Sequence, residues 1–437
     1  MLPGLTVPSS LLALLQVLRP CFTAPTFRTF SALVIGLAMA TRRRTVVGIL
    51  LGAGLTHLWP HDRAHYFFAK ACWSPDQLGL ALVRLIVERL LPEGAALDIA
   101  VDDTLFKRRG KKVYGAAWQH DGSATGAKKT GFGNNWVVLG LLVPLPFLDR
   151  RVCLPVLARL WRPKSAASKV ELARRLVGLL LTAFPTRELC LVGDAAYHGK
   201  ALRDLPARCS WTCRMQRNGV FYAPAPPPTG RRGHPAWKGD RLGNPGEIAA
   251  TATFTRATVE RYGRTDTVWI TAVTGLWWGA FHRRACRLIL IRDENSDKSY
   301  DLALVTTDLT ADPAAIVSRY AWRWQIELLF LQVKQILGVG EARNRVQRAV
   351  ERTVPFGLAV YTLIVIWYAL NGRHESDLAR RRTREPWLSA KTTVSFEDMH
   401  QALRHEVLEN RITDVIAAHT PTRQIRQALR ELLSLAA

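Results

Sequence analysis

Two short apolar segments that each run into an acidic residue constrain this fold more than anything else in the chain. Residues 97–101 read LDIAV and lead into Asp102, Asp103 and Thr104; Leu189–Gly193 reads LCLVG and leads into Asp194. Short runs of apolar and β-branched residues bounded by polar clusters are strands. Between them, residues 169–184 (KVELARRLVGLLLTAF) place apolar side chains at helical spacing. After the basic turn KRRGKK come two further strand-like runs, VYGAAWQHD and NNWVVLGLLVPLPF. Three strands, a helix and a fourth strand tipped with an acid make an α/β arrangement.

The flanks read differently. Residues 1–92 show apolar positions at helical spacing and no strand alternation, with Arg42, Arg43 and Arg44 between two of the helices. Such a helical domain with a basic turn suits docking on DNA. Residues 223–245 are rich in Pro, Gly and cations and mark a long loop. Beyond them TATFTRATVERYG, TVWITAVTG, ACRLILIR and YDLALVTTD are strand-like and read as an inserted β-rich module. Helical character returns at Pro313. The apolar stretch VPFGLAVYTLIVIWYAL (residues 354–370) is short for a membrane span, begins near a proline, and reads as a core helix. The segments FEDMHQALRHEVLE and PTRQIRQALRELLSL close the chain as helices behind a basic stretch.

Charge narrows the partner. The 437 residues carry 60 Lys and Arg against 35 Asp and Glu, a formal net charge of +25. A surface this basic repels itself unless an anionic polymer neutralises it, so a nucleic acid is the expected partner. The seven cysteines are odd in number and scattered, as in a reducing cytosol. Cys209 and Cys213 have no second pair at zinc-site spacing. The first residues lack the basic stretch and cleavage site of a secretory signal. The expected location is therefore cytoplasmic, with no membrane partner.

The segment richest in chemistry is residues 320–334, YAWRWQIELLFLQVK. At helical rotation Tyr320, Arg323, Glu327 and Lys334 fall within roughly 60° of one another. Trp322, Trp324, Ile326, Leu328, Leu329, Phe330 and Val333 belong in a core. One reading of the stripe is an i,i+4 pair between Arg323 and Glu327. The other makes Glu327 a metal ligand while Arg323, Lys334 and the Tyr320 hydroxyl hold a phosphate. Glu327 would then need further carboxylates, and Asp102 and Asp194, at the tips of their strands, are the obvious ones. Two Mg²⁺ ions would bridge such a set and activate a water or a 3′-hydroxyl.

The pattern Tyr320-x2-Arg323-x3-Glu327-x6-Lys334 resembles the signature of cut-and-paste insertion-sequence transposases of the DDE type, the insertion sequence 4 superfamily. VDDT (residues 101–104) resembles the family's first acidic motif and VGDAAY (residues 192–197) its second. TTDLT and SFEDMHQALR resemble the insertion sequence 701 group. The resemblance covers most of residues 95–405. It implies an α/β fold with an RNase H-like catalytic core interrupted by a β-rich insertion, an all-α N-terminal domain and a helical C-terminal tail. The corresponding division is residues 1–92 (helical, DNA-binding), 93–205 (core, first part), 206–305 (insertion), 306–372 (core, second part) and 373–437 (basic helical region).

Carried over residue by residue, Asp102, Asp194 and Glu327 are the catalytic triad holding two Mg²⁺ (or Mn²⁺) ions, and Tyr320, Arg323 and Lys334 grip DNA-end phosphates. Asp102 and Asp103 both precede Thr104; the D-x-T spacing favours Asp102, leaving Asp103 and Thr104 beside it in support. Trp237, Trp269, Trp277 and Trp278 of the insertion are candidates to stack on a flipped base. His120 and Asp121 read as hairpin residues and His198 as the start of a helix. The implied activity is cleavage of double-stranded DNA at element ends and transfer of the freed 3′-hydroxyls to target DNA by a DNA-bound homodimer in the nucleoid.

Overall fold

The computed structural model describes residues 7–122, 124, 129–227, 234 and 236–417. Five helices come first: α1 (Ser9–Val17), α2 (Ala24–Met39), α3 (Val46–Gly52), α4 (His61–Ala69) and α5 (Pro75–Leu90). Their starts are set locally, by the Thr45 side chain accepting from Gly48 N–H in α3 and by Ser74 before Pro75 in α5. β1 (Leu97–Lys107), β2 (Ala117–His120), β3 (Thr130–Val143) and β4 (Val152–Trp161) follow. Then come α6 (Lys169–Ala183), opened by a Ser168–Glu171 capping box, and β5 (Leu189–Gly193).

β1, β3 and β4 are antiparallel, while β5 pairs parallel to β1, and β6 (Cys209–Arg214) parallel to β5. The order β4-β3-β1-β5-β6, with α6 crossing between β4 and β5, is a mixed sheet compatible with an RNase H-like DDE domain. β4 and β6 were not expected from the sequence. β1 also runs six residues further than LDIAV, because its ladder with β3 continues to Lys107 opposite Gly133. Asp102 and Asp103 therefore sit within a strand, where a tip was expected, while Asp194 does directly follow β5.

The stretch read as an inserted β-rich module is strand-rich. β7 (Phe221–Tyr222) and β8 (Arg241–Gly243) form a small ribbon followed by α7 (Pro245–Thr251). β9 (Thr255–Arg261), β10 (Arg264–Gly275), the short α8 (Trp278–Phe281), β11 (Cys286–Asp293) and β12 (Leu302–Thr306) come next. β12 hydrogen-bonds to β6, so β12-β11-β10-β9 extend the central sheet edge to edge. The joint is sealed by the buried pair Thr212–Thr306, whose hydroxyls bond at 2.9 Å.

The helix expected over residues 320–334 is broken. α9 (Pro313–Trp322) ends and α10 (Trp324–Gln335) begins at Arg323, where the local hydrogen bonds tighten to i+3. Trp324, one residue on, is 44% exposed, against the core position its apolarity suggests; it lies only about 40° around the helix from Tyr320, beside the polar stripe. α9 is anchored by Arg319, which pairs with Asp98 of β1 at 3.0 Å.

α11 (Gln347–Asn371) is long and apolar enough to cross a membrane, but 83% of its most apolar window is buried inside the protein. It is a core helix. Buried Arg352 of α11 donates to the carbonyl oxygens of Phe68, Ala71 and Trp73, so the N-terminal helices share one continuous core with the sheet. α12 (His374–Arg384) and α13 (Phe396–Ala417) complete the described chain. Residues 421–435 (PTRQIRQALRELLSL), expected to be helical, lie outside the described residues.

Candidate active site

The acids converge where the sheet's pleat and the α9–α10 break meet. Side chains alternate along a strand, so Asp102 and Thr104 share one face of β1 and Asp103 takes the other. On the Asp102 face, Arg323 Nη1 donates to Asp102 Oδ2 at 3.1 Å and Arg323 Nη2 donates to Glu327 Oε1 at 3.0 Å. Lys334 Nζ donates to Thr104 Oγ1 at 2.7 Å. The Tyr320 ring lies 5.7 Å from the Arg323 guanidinium. Two residues of the stripe, Arg323 and Lys334, thus bond β1, while Glu327 and Tyr320 are joined to it through Arg323; the i,i+4 pair Arg323–Glu327 also exists, as one half of a bridge to Asp102.

Asp103 is occupied elsewhere. Lys169, at the start of α6, pairs with its Oδ2 at 2.5 Å, and the buried Tyr197 hydroxyl donates to its Oδ1 at 3.2 Å. Sequence reasoning missed both partners. Tyr197 belongs to the VGDAAY segment and could have been read; Lys169 carries no signal, since only the fold brings α6 to this strand.

Asp194 follows β5, the parallel neighbour of β1, and its Oδ1 caps the turn by accepting from Ala196 N–H at 2.8 Å. It stands close enough to act on Asp102. Burial, reinforced by the Asp194 charge and opposed by Arg323, pushes the Asp102 carboxyl up to about 7. Burial lowers the Lys334 ammonium from its ordinary value and raises the Tyr320 hydroxyl.

The pair Asp102–Asp194 fits a divalent cation. It supplies hard oxygen donors, one of them desolvated and held toward neutrality by its neighbour, a penalty that a bound cation would remove. Glu327 lies on the far side of Arg323. Among the described residues no three His, Cys, Asp or Glu side chains are gathered tightly enough to hold a metal. The guanidinium occupies the space between the first and third acids.

The tryptophans divide. Trp277 is buried, stacked on His198 with ring centroids 4.7 Å apart, which removes its faces from any base. Trp269 is half-buried in β10, opposite Arg256 and Arg292. Trp237 is 44% exposed under Arg283 (4.0 Å), with Trp278 6.4 Å away. His120 ends β2 and Asp121 begins the connection to β3, as expected of hairpin residues; Asp121 pairs with Lys107 at 3.0 Å. His198 does not open a helix; its Nδ1 lies 2.8 Å from the Ala195 carbonyl oxygen in the turn after β5. Cys209 and Cys213 are both buried free thiols.

No curated protein matches the chain. A family model described as DDE superfamily endonuclease does match, over residues 17–269. The matched stretch includes Asp102 and Asp194 and ends before Glu327. Spanning more than half of the residues and coinciding with the mixed sheet that carries both acids, this match shows that the chain belongs to the DDE superfamily endonucleases.

Proposed function

We propose that the protein is a DNA transposase, most like the insertion sequence 701 group of the insertion sequence 4 superfamily. In this reading it cuts double-stranded DNA at the ends of a mobile element and transfers the freed 3′-hydroxyls to target DNA. The observation that carries it is the union of two distant segments: Asp102 and Thr104 of β1 are bonded to Arg323 and Lys334 around Glu327, with Asp194 just past the end of the adjacent strand. A structural ion pair accounts for Arg323 and Glu327 but not for a lysine and a tyrosine on the same stripe. Asp102 is the first acid, because Asp103 is committed to Lys169 and Tyr197 on the opposite face.

Asp102 and Asp194, joined by Glu327 once Arg323 turns from it to the phosphate, would hold two Mg²⁺ (or Mn²⁺) ions, which when bound would polarise the scissile phosphate and activate the attacking oxygen. The chain's own part is positioning and charge. Arg323 neutralises two of the acids and offers a planar fork to a phosphate, while Thr104 holds the Lys334 ammonium at a fixed distance from the strand. Tyr320 completes the phosphate-binding stripe. We keep the insertion expected over residues 206–305 but start it after β6, since β6 completes the core sheet order and only later strands lie beyond it. Exposed Trp237, with Trp278 beside it, is the best placed of the four tryptophans to stack on a base. A homodimer on DNA, in the cytoplasm at the nucleoid, completes the proposal.

The test is incubation of purified protein with Mg²⁺ and the DNA flanking its gene. Cleavage leaving 3′-hydroxyl ends and a strand-transfer product is expected, with loss by roughly a thousandfold or more in Asp194→Ala and Glu327→Gln. Full cleavage by Asp194→Ala would sink the assignment. Binding without nicking would mark an inactive descendant, and cleavage without joined product a nuclease.

A further inference from the structure

A cleft of about 800 Å³ opens beside the candidate active site, at the far end of β1. Three segments distant in sequence form it: the turn after β1, the loop between α10 and α11, and the loop between α2 and α3. Its lining includes Arg43, Arg109, Arg343 and Arg345, all exposed, one or two from each segment. Lys334 lies at its inner end, so the cleft is continuous with the edge that carries Thr104 and Asp102. Its floor is apolar, from Phe106, Val113 and Val339.

Among the described residues none of these four arginines has a carboxylate in ion-pair range. The one acid of the lining, Glu341, is turned to the backbone instead: its Oε2 accepts from Arg44 N–H at 2.6 Å. The walls are also fixed. Arg108 donates to Asn134 Oδ1 at 2.9 Å and to the Gly340 carbonyl at 2.8 Å; Tyr114 N–H donates to the Arg345 carbonyl at 2.9 Å. The Arg44 guanidinium donates to the Ile336 carbonyl at 3.0 Å. Four uncompensated guanidinium groups around one rigid cleft repel one another, an arrangement that an anion relieves.

We propose that this cleft binds the sugar–phosphate backbone of duplex DNA as it runs on from the cleaved phosphate. The inference rests on the transposase reading for the position of that phosphate. Guanidinium forks match phosphate oxygens bidentately, and the apolar floor suits the sugar edges between them. The cleft joins the N-terminal helices, through Arg43, to the same DNA that the signature residues hold. Its contacts are to backbone, so they add affinity and salt dependence without adding sequence preference.

The test measures binding of a labelled 30-bp duplex in the Asp194→Ala background, where cleavage does not interfere. Arg343→Ala/Arg345→Ala is compared with Arg84→Ala/Arg89→Ala, an equal charge change at exposed positions of α5, whose C-terminus leads to the opposite end of β1. The cleft pair is expected to weaken binding about thirtyfold and to flatten the slope of log affinity against log salt by about 1.8. The α5 pair should stay within about threefold. Equal affinity and slope for the two pairs would overturn the proposal. So would a cleft-pair loss seen with single-stranded DNA of the same sequence but not with duplex. If the cleft pair loses duplex binding while wild-type protein never cuts, the cleft stands and the transposase reading falls. If wild-type protein cuts and the cleft pair binds normally, the reverse holds.

Discussion

Asp102 and Asp103, adjacent in sequence, stand on opposite faces of β1 and belong to different networks: Asp102 bonds Arg323 at 3.1 Å, Asp103 bonds Lys169 at 2.5 Å. The two acids can therefore be separated by experiment. Asp102→Asn should abolish Mg²⁺-dependent cleavage, roughly a thousandfold or more, with the fold intact. Asp103→Asn frees a lysine that can reach water, so it should lower stability by about 1 kcal/mol and leave cleavage within about tenfold. Parallel denaturation and cleavage assays check this; the opposite ranking would move the first metal ligand to Asp103.

Arg323 is the next case, because one guanidinium serves both Asp102 and Glu327. Arg323→Ala leaves Asp102, already pushed up to about 7 by burial and Asp194, without its nearest cation. We expect a loss of about 1–3 kcal/mol at pH 8, where Asp102 in the intact protein is largely ionised. The loss should shrink at pH 5, where Asp102 is largely protonated. Mg²⁺ at pH 8 should recover part of it by supplying positive charge to the same carboxylates. Urea denaturation at both pH values, with and without Mg²⁺, measures each term; equal stability of the two proteins at pH 8 would remove Arg323 as the counter-ion.

Much of this site was legible because the motif residues face one another in the same order in which they recur along a helix. β5 and the whole of α6 also match expectation, the helix stopping one residue early, before Phe184: helical periodicity marks α6, and a short apolar run between polar residues marks β5. What escaped depends on partners. β4 contains Pro155, which looks like a strand breaker; it sits at a bulge on an edge strand, where no ladder bond is lost. β6 reads CSWTCR, too polar for a buried strand until Thr212 meets Thr306 across the sheet. The break at Arg323 has no proline or glycine to announce it. It coincides with the residue whose side chain bonds Asp102 of β1, and that contact is invisible to local pattern.

The loop that walls the basic cleft gives a test of geometry rather than charge. Gly340 has φ +105°, and a Cβ there would lie 2.6 Å from Cδ1 of buried Phe106. Gly340→Ala combines backbone strain of about 1–3 kcal/mol with a clash that must displace the loop or the ring. Gly94, at φ +75° with nothing within 4 Å of its Cβ position, is the comparison, since alanine there adds strain alone. Gly340→Ala should lower the denaturation midpoint more than Gly94→Ala and also weaken duplex binding, which Gly94→Ala should leave unchanged. Equal effects of the two substitutions on stability would mean that the loop yields without resistance.

His400 sets an acid limit on the junction between the two ends of the chain. It is buried in α13, and its Nε2–H donates to the Ala38 carbonyl of α2 at 2.7 Å. Burial, with Arg404 and Arg44 adding to it, holds the imidazole down at about 4. The unfolded chain takes up this proton near pH 6.5, the folded protein only near pH 4. Between those values the unfolded state binds more protons, so stability falls as pH is lowered, by up to about 3 kcal/mol from this group. Above about pH 6.5 the group contributes no slope. His400→Gln retains an N–H donor for Ala38 but cannot titrate, so its urea-denaturation stability should drop less than that of wild type between pH 7 and pH 4.5. Identical pH slopes in the two proteins would show that the acid sensitivity lies elsewhere.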